Sequence, residues 1–151
     1  MNEPHISIEL YQTKLLEKSI EIIKKLTEYI DQYLSNFDIT NSFSFSKINV
    51  EKYEHDYMNF LLTISPKISE LTAINAETAS LIIASDRAQK IDIKLILEKR
   101  FNAFCLFEQA LYEYTSNIDN AFSNNKVTSS FIVSSTQKFK MATQLLLNEM
   151  L

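Results

Sequence analysis

The sequence predicts an all-α protein folded as an antiparallel four-helix bundle. None of its 151 residues is glycine, whereas average usage of ~7% would place about ten in a chain of this length. Tight β-hairpins and bulges favour glycine, so its absence argues against a β-rich fold. In addition, apolar residues recur at helical spacing along four long segments, and Asn- and Ser-rich connections separate some of them.

The first helix is predicted from Ile8 to the polar stretch 35–38, with apolar residues every three, four or seven positions. Pro4 precedes it and is tolerated near a first turn, where a missing N–H costs little. The connection that follows carries Phe43 and Phe45 at alternating positions. It is either a loop or a short extended segment that lays one ring on the bundle.

The second helix is predicted to begin at Asn49, an acceptable N-cap, with Glu51 in the first turn, where negative charge suits the helix dipole. Pro66 lacks an N–H and clashes with the preceding turn, so the sequence predicts a kink or break there. The helical pattern then continues to Ala84. Ser85 and Asp86 offer a cap signal before the next helix.

The third helix is predicted from Ile91 to Phe122 and has the widest apolar stripe. Its main residues are Leu97, Phe101, Phe104, Leu111, Ile118 and Phe122, and Ile93, Ile96, Phe107 and Tyr114 widen the stripe. The polar stretch 120–125 should end the helix, because asparagine tolerates the left-handed backbone region.

The last helix is predicted to start between Ser129 and Ser135, and Ser134 with Gln137 fits a capping box. The β-branched stretch 127–133 leaves helix and extended chain open as alternatives. No repeat or long linker divides the chain, so residues 1–151 should form a single domain.

Charge and composition exclude several partners. The net charge is -4 with a sequence pI of about 5.2, and the scattered lysines form no basic patch, so nucleic acid is not expected. The longest uncharged run, 127–137, has eleven residues, whereas a membrane-spanning helix needs ~20. The first residues lack the basic and apolar regions of an export signal. A soluble, cytoplasmic protein without membrane insertion is therefore expected.

Catalytic and metal-binding constellations are not predicted. Phosphate loops, dinucleotide turns and nucleophile elbows generally rely on glycine. Di-metal sites in bundles need Glu-x-x-His pairs on facing helices, but the only histidines are His5 and His55. Although Glu51 shares a helix face with His55, no second histidine-bearing helix exists. We therefore predict no catalytic residue, no metal and no cofactor.

Other polar residues allow both a functional and a plain structural interpretation. Asp86 and Arg87 form either a semi-buried pair at a functional kink or an exposed helix start. Glu98, Arg100 and Glu108 form either a buried network or surface ion pairs along the third helix. The single cysteine, Cys105, is interpreted as a small buried apolar residue.

The tyrosines are the best candidates for a partner-binding surface. Tyr29 and Tyr33 lie at i,i+4, as do Tyr53 and Tyr57, so each pair presents two rings on one helix face. Tyrosine is enriched at protein interfaces, because it offers large contact area with little loss of entropy. These four residues are the predicted partner-binding residues.

We therefore expect a non-enzymatic protein–protein interaction module that acts through a helical-bundle surface, as an inhibitor or immunity protein, a chaperone or an antagonist of another protein. The alternative is a bundle that binds an apolar small molecule or lipid in its core. That hypothesis depends on the wide stripe of Phe101, Phe104, Phe107, Leu111 and Tyr114. A monomer and a homodimer are both compatible with the amphipathic first helix.

Overall fold

The computed structural model describes residues 7–37 and 47–151, and the predicted four-helix bundle is confirmed. No strand occurs in these two ranges. The helices are α1 (Ile8–Ser35), α2 (Lys47–Arg87), α3 (Ile91–Ser123) and α4 (Ser129–Met150). The predicted loop or extended segment at Phe43 and Phe45 lies outside the described residues, as do Pro4 and His5.

Each helix packs mainly against two neighbours: α1 and α3 each contact both α2 and α4. The chain reverses direction within residues 88–90 and again within 124–128, so consecutive helices there run antiparallel. In the first pair, the start of α1 meets the second half of α2, where the Tyr11 hydroxyl donates to Glu77 Oε1 at 3.1 Å. The end of α1 meets the first half of α2, where Tyr33 stacks on Phe60 at 4.2 Å between ring centroids. The helices therefore alternate in direction around the bundle.

The core follows the heptad-like stripes of the four helices. In α1 the buried apolar positions from Leu15 to Tyr33 are those that the periodicity predicts, with Ile23 in addition. In α3 the buried set is shifted slightly toward Phe107 and Tyr114, whereas Phe101 is only half-buried. Since four helices enclose one continuous apolar cluster, no disulfide or metal is needed to stabilise a chain of this length.

Helix α2 is continuous through Pro66, so of the predicted kink or break the break does not form. The proline removes the N–H that would bond to the carbonyl of Leu62, four residues earlier. Both residues are exposed, so water can bind that carbonyl and the helix can continue. At its start, α2 begins at Lys47, so Asn49 lies inside the helix and is not the N-cap.

Two helices end in left-handed residues other than glycine. Gln89 has φ 58° and Asn125 has φ 54°. The residue after each of them donates its N–H to a carbonyl five positions earlier, Lys90 to Ser85 at 2.8 Å and Lys126 to Ala121 at 2.9 Å. Both ends are Schellman motifs, which usually place glycine at this position. The prediction of an asparagine turn is confirmed at Asn125, but Ser85 belongs to the end of α2 and caps no following helix.

Helix α4 begins at Ser129, with Thr128 as its N-cap. The Thr128 hydroxyl accepts a hydrogen bond from the backbone N–H of Phe131 at 3.0 Å. Ser134 lies inside the helix, where its hydroxyl donates to the Phe131 carbonyl, so the predicted capping box is wrong. Threonine caps a helix nearly as well as serine, and the earlier cap extends α4 over most of the β-branched stretch.

None of the helices in the part of the chain that the structure describes is at once long enough and apolar enough to cross a membrane.

Candidate functional site

The bundle separates the members of each predicted tyrosine pair. Tyr33 and Tyr57 are 4% and 1% exposed and belong to the core, whereas Tyr29 and Tyr53 are half-buried. Since adjacent stripes on one helix can face different surroundings, the i,i+4 spacing does not place both rings at the surface. Only Tyr29 and Tyr53 of the four predicted residues can offer a ring to a partner.

The buried tyrosines form a layer of aromatic rings across the bundle. Tyr114 stacks on Phe139 at 5.0 Å, and Tyr57 meets Tyr114 edge-on at 6.1 Å. The Tyr114 hydroxyl and the Thr136 hydroxyl are 2.7 Å apart and share a hydrogen bond. By contrast, the hydroxyls of Tyr33 and Tyr57 are buried without a partner among the described residues.

Burial raises the pKa of Tyr33, Tyr57 and Tyr114 well above the ordinary value of a phenol, because desolvation disfavours the charged form. Neighbouring tyrosine hydroxyls raise the pKa of Tyr33 and Tyr57 further, and Asp56 and Asp119, respectively, add to the effect. All three therefore stay neutral at physiological pH, which suits a structural role in the core and not a role in acid–base chemistry.

The exposed remainder of the tyrosine surface lies along α1 and α2. The Lys25 ammonium sits 5.4 Å from the centroid of the Tyr29 ring, and Tyr53 packs beside Phe37 at 5.8 Å. Tyr29 lines a groove of about 460 Å³ whose other walls are largely polar, including Gln32, Asp56 and Asn59. The surface around Tyr29 is therefore largely polar and only partly apolar.

A more apolar groove of about 570 Å³ lies between α2 and α3, and we call it the α2–α3 groove. From α2 it is lined by Leu61, Ile64, Ser65, Ile68, Ser69 and Thr72, and from α3 by Glu108, Leu111, Tyr112 and Thr115. Of these residues Glu108 alone is charged. The groove therefore offers an apolar floor with small hydroxyl side chains along one wall.

Large apolar side chains stand exposed at this groove. Tyr112 is 73% exposed and lies in its lining, and Leu62 is 67% exposed next to Leu61. Met58, half-exposed, lies one helical turn before Leu62 on the same face of α2. Isolated exposed apolar residues are common, so the exposure of each of these residues alone does not define a site. The sequence analysis did not predict this surface. Leu62 and Tyr112 nevertheless fall outside the core stripes of their helices, and this pattern indicates that both side chains are exposed.

Most of the stripe predicted to bind an apolar ligand is buried in the core. Of the stripe predicted for an apolar ligand, Phe104, Phe107 and Tyr114 are buried, and Phe107 packs against Phe139 at 5.6 Å. The cavity bounded by Phe104 has about 20 Å³ of space, which suffices for about one water molecule. These three residues of the stripe are thus packed core, whereas Phe101 and Leu111 are half-buried.

The remaining candidate residues lie apart from one another. Within residues 7–37 and 47–151, no three His, Cys, Asp or Glu side chains are close enough together to hold a metal ion. His55 is exposed beside Asn59. Asp86 pairs with Lys94 at 2.9 Å and not with Arg87, and Glu98 also reaches Lys94. Cys105 is half-buried. The contacts of Lys94 with Asp86 and Glu98 are surface ion pairs, and such pairs contribute little to stability.

Comparison of the chain with known protein families, with curated proteins and with solved structures finds no match.

Proposed function

We propose that this protein is a non-enzymatic interaction module that binds one helix of another protein in the α2–α3 groove and thereby inhibits, neutralises or escorts that protein. The observation that carries this function is the exposure of Leu62 and Tyr112 beside an apolar groove. Such residues lose apolar contact with water when a partner covers them, which favours binding.

The shape of the groove favours a helical partner. Ser65, Ser69 and Thr72 follow one another at i, i+4 and i+7 along α2, so they form a row of small side chains on one face. A row of this kind lets a second helix approach closely. From Leu61 to Thr72 the wall is roughly 16 Å long at 1.5 Å per residue, which matches about three helical turns. A partner would fill it with apolar residues at i, i+4 and i+7.

The negative charge of the groove and of the chain favours a partner helix that carries a basic residue. Glu108 lies in the groove and is exposed, and the whole chain carries a net charge of -4. A partner helix with Lys or Arg facing Glu108 would be attracted to the groove and held in one register. We therefore infer an amphipathic helix with an apolar stripe and a basic residue beside it.

The test is affinity capture of a partner with two matched double variants. The groove variant, Leu62→Ala/Tyr112→Ala, removes the two exposed side chains at the groove. The α4 variant, Met141→Ala/Leu145→Ala, removes two side chains of similar exposure, 63% and 66%, from α4. The groove variant should bind the captured partner at least about tenfold more weakly, which corresponds to about 1.4 kcal/mol, while the α4 variant binds as the wild type does. Equal binding by both variants would reject the groove.

Tyr29 and Tyr53 provide a second surface for the same measurement. A Tyr29→Ala/Tyr53→Ala variant keeps the buried Tyr33 and Tyr57 and should therefore fold. Loss of partner binding in this variant, with binding retained by the groove variant, would place the interface on α1 and α2. If the protein instead forms a homodimer through the groove, the groove variant alone should shift the molecular mass measured by light scattering from dimer to monomer.

A further inference from the structure

The first turns of α3 expose three large apolar side chains within six positions. Ile91, Leu95 and Ile96 are 66%, 55% and 48% exposed. A groove of about 560 Å³ runs along this part of the surface, and the residues that line it all belong to α3. They are Asp92, Leu95, Ile96, Glu98, Lys99 and Asn102, and we call this surface the α3 face.

Opposite charges flank the apolar residues of the α3 face. Asp92 precedes them and Lys99 follows them, and both are exposed. The two residues are seven positions apart, which is about two turns or about 10.5 Å along the same side of the helix. None of the ion pairs among the described residues involves Asp92 or Lys99. By contrast, Glu98 lies 3.8 Å from Lys94 of its own helix.

This order of acid, apolar pair and base is complementary to itself. If two copies of α3 pack antiparallel about a two-fold axis between Leu95 and Ile96, Asp92 of each copy faces Lys99 of the other, because both lie equally far from the axis. Leu95 of each copy then lies against Ile96 of the other. A two-fold contact repeats every interaction, so two ion pairs form. Parallel packing would instead place like charges side by side, which is repulsive.

We propose that the α3 face binds a second copy of this chain, as an antiparallel dimer with two-fold symmetry. Covering the apolar side chains removes them from water, which favours association, and the charges fix the direction and register. The stretch that overlaps is about ten residues or about 15 Å long. Such a contact belongs to the lower end of interface sizes, so the dimer is weak and reversible.

The α2–α3 groove stays open in this dimer. Glu108, which lines the groove, is nine positions from Lys99. That separation is two and a half helical turns, so the two residues lie on opposite sides of α3. The dimer therefore presents two grooves that face away from its interface, and it forms whether or not the groove binds a partner.

Reversal of the two charges tests the dimer. Sedimentation equilibrium of the wild type from about 5 to 500 µM should show a monomer and a dimer in exchange. Asp92→Lys and Lys99→Glu each place like charges opposite one another twice, so each should raise the dissociation constant at least about tenfold. Glu21→Lys is the matched control, because Glu21 is exposed on α1 and the change in net charge equals that of Asp92→Lys. It should dimerise as the wild type does.

An equimolar mixture of the two single variants is the decisive sample. Neither variant should dimerise well alone, but in the mixed dimer each reversed charge faces the opposite charge of the other variant. The mixture should therefore associate about as strongly as the wild type, and so should the doubly reversed Asp92→Lys/Lys99→Glu.

Four results would overturn the proposal: a wild type that stays monomeric at every concentration, a mixture that stays monomeric, an equal loss in Glu21→Lys, or loss of the dimer in the groove variant Leu62→Ala/Tyr112→Ala. Asp92 lies in the first turn of α3, where a negative charge suits the helix dipole. If Asp92→Lys does not fold for this reason, the comparison of Lys99→Glu with the wild type still decides the question.

Discussion

Removal of a single oxygen from the core should have opposite effects at two tyrosines of the same aromatic layer. Tyr57 and Tyr114 are 1% and 4% exposed and their rings are in contact. The Tyr114 hydroxyl shares a 2.7 Å hydrogen bond with Thr136, whereas the Tyr57 hydroxyl has no partner among the described residues. Tyr114→Phe therefore removes a hydroxyl oxygen that has a hydrogen-bond partner, and Tyr57→Phe removes one that has none.

The magnitudes follow from the cost of burying a hydroxyl. A buried hydroxyl without a hydrogen bond costs about 1–3 kcal/mol by protein mutational data. Removing the Tyr57 oxygen should recover part of this cost and raise the free energy of unfolding by about 1 kcal/mol. Removing the Tyr114 oxygen deletes a hydrogen bond and leaves the buried Thr136 hydroxyl without it, so the free energy of unfolding should fall by about 1–2 kcal/mol.

Urea denaturation measures both changes, provided that the slope of free energy against urea is the same for the three proteins. The two variants should differ by about 2–3 kcal/mol in the free energy of unfolding, with the wild type between them. A Tyr57→Phe variant that is less stable than Tyr114→Phe would refute the assignment of the unpaired hydroxyl, because its oxygen would then have a strong partner.

Three further predictions concern the same core and the helix ends. Burial raises the native pKa of Tyr33, Tyr57 and Tyr114 above the unfolded value, so their neutral forms stabilise the fold below about pH 10. Above that pH, the free energy of unfolding should fall by up to about 1.4 kcal/mol per pH unit for each tyrosine. Urea midpoints that stay constant from pH 9 to about 11 would contradict this. Pro66→Ala should raise the free energy of unfolding by about 1–3 kcal/mol, since α2 is continuous there, and an unchanged thermal midpoint would show that the proline causes no loss. Gln89→Gly should stabilise by about 0.5–1 kcal/mol, because its φ is 58°, whereas Asn124→Gly, at φ -97°, should not; equal effects would argue against strain at Gln89.

The fold could be predicted because each helix carries its own apolar period. Apart from Ile23, the buried positions of α1 from Leu15 to Tyr33 repeat every three or four residues, and such a stripe requires one buried face. The same stripe includes Tyr33, so its burial could have been read from its phase relative to Ile22, Leu26 and Ile30. The i,i+4 tyrosine pattern competed with this phase and pointed to the surface instead.

The α2–α3 groove could not be predicted to the same extent, because it joins residues that are distant in the sequence. It unites Leu61 and Tyr112, and in the same way Arg100 of α3 donates to Gln12 of α1 across 88 positions. Helical periodicity fixes the face on which a residue lies, but not which residue of another helix stands opposite. The register between helices comes from the packing of the whole core, so the groove and this contact emerge only in three dimensions.

The most direct test of the interaction function is site-specific photo-cross-linking in the cells that produce the protein. A benzophenone amino acid at position 112 would lie in the α2–α3 groove. The same group at position 141 would be similarly exposed on α4, which packs against α1 and α3. We predict one dominant adduct from position 112, containing a second protein cross-linked through a helix, and none from position 141. Adducts of equal yield from both positions, or from position 141 alone, would contradict the groove as the binding surface.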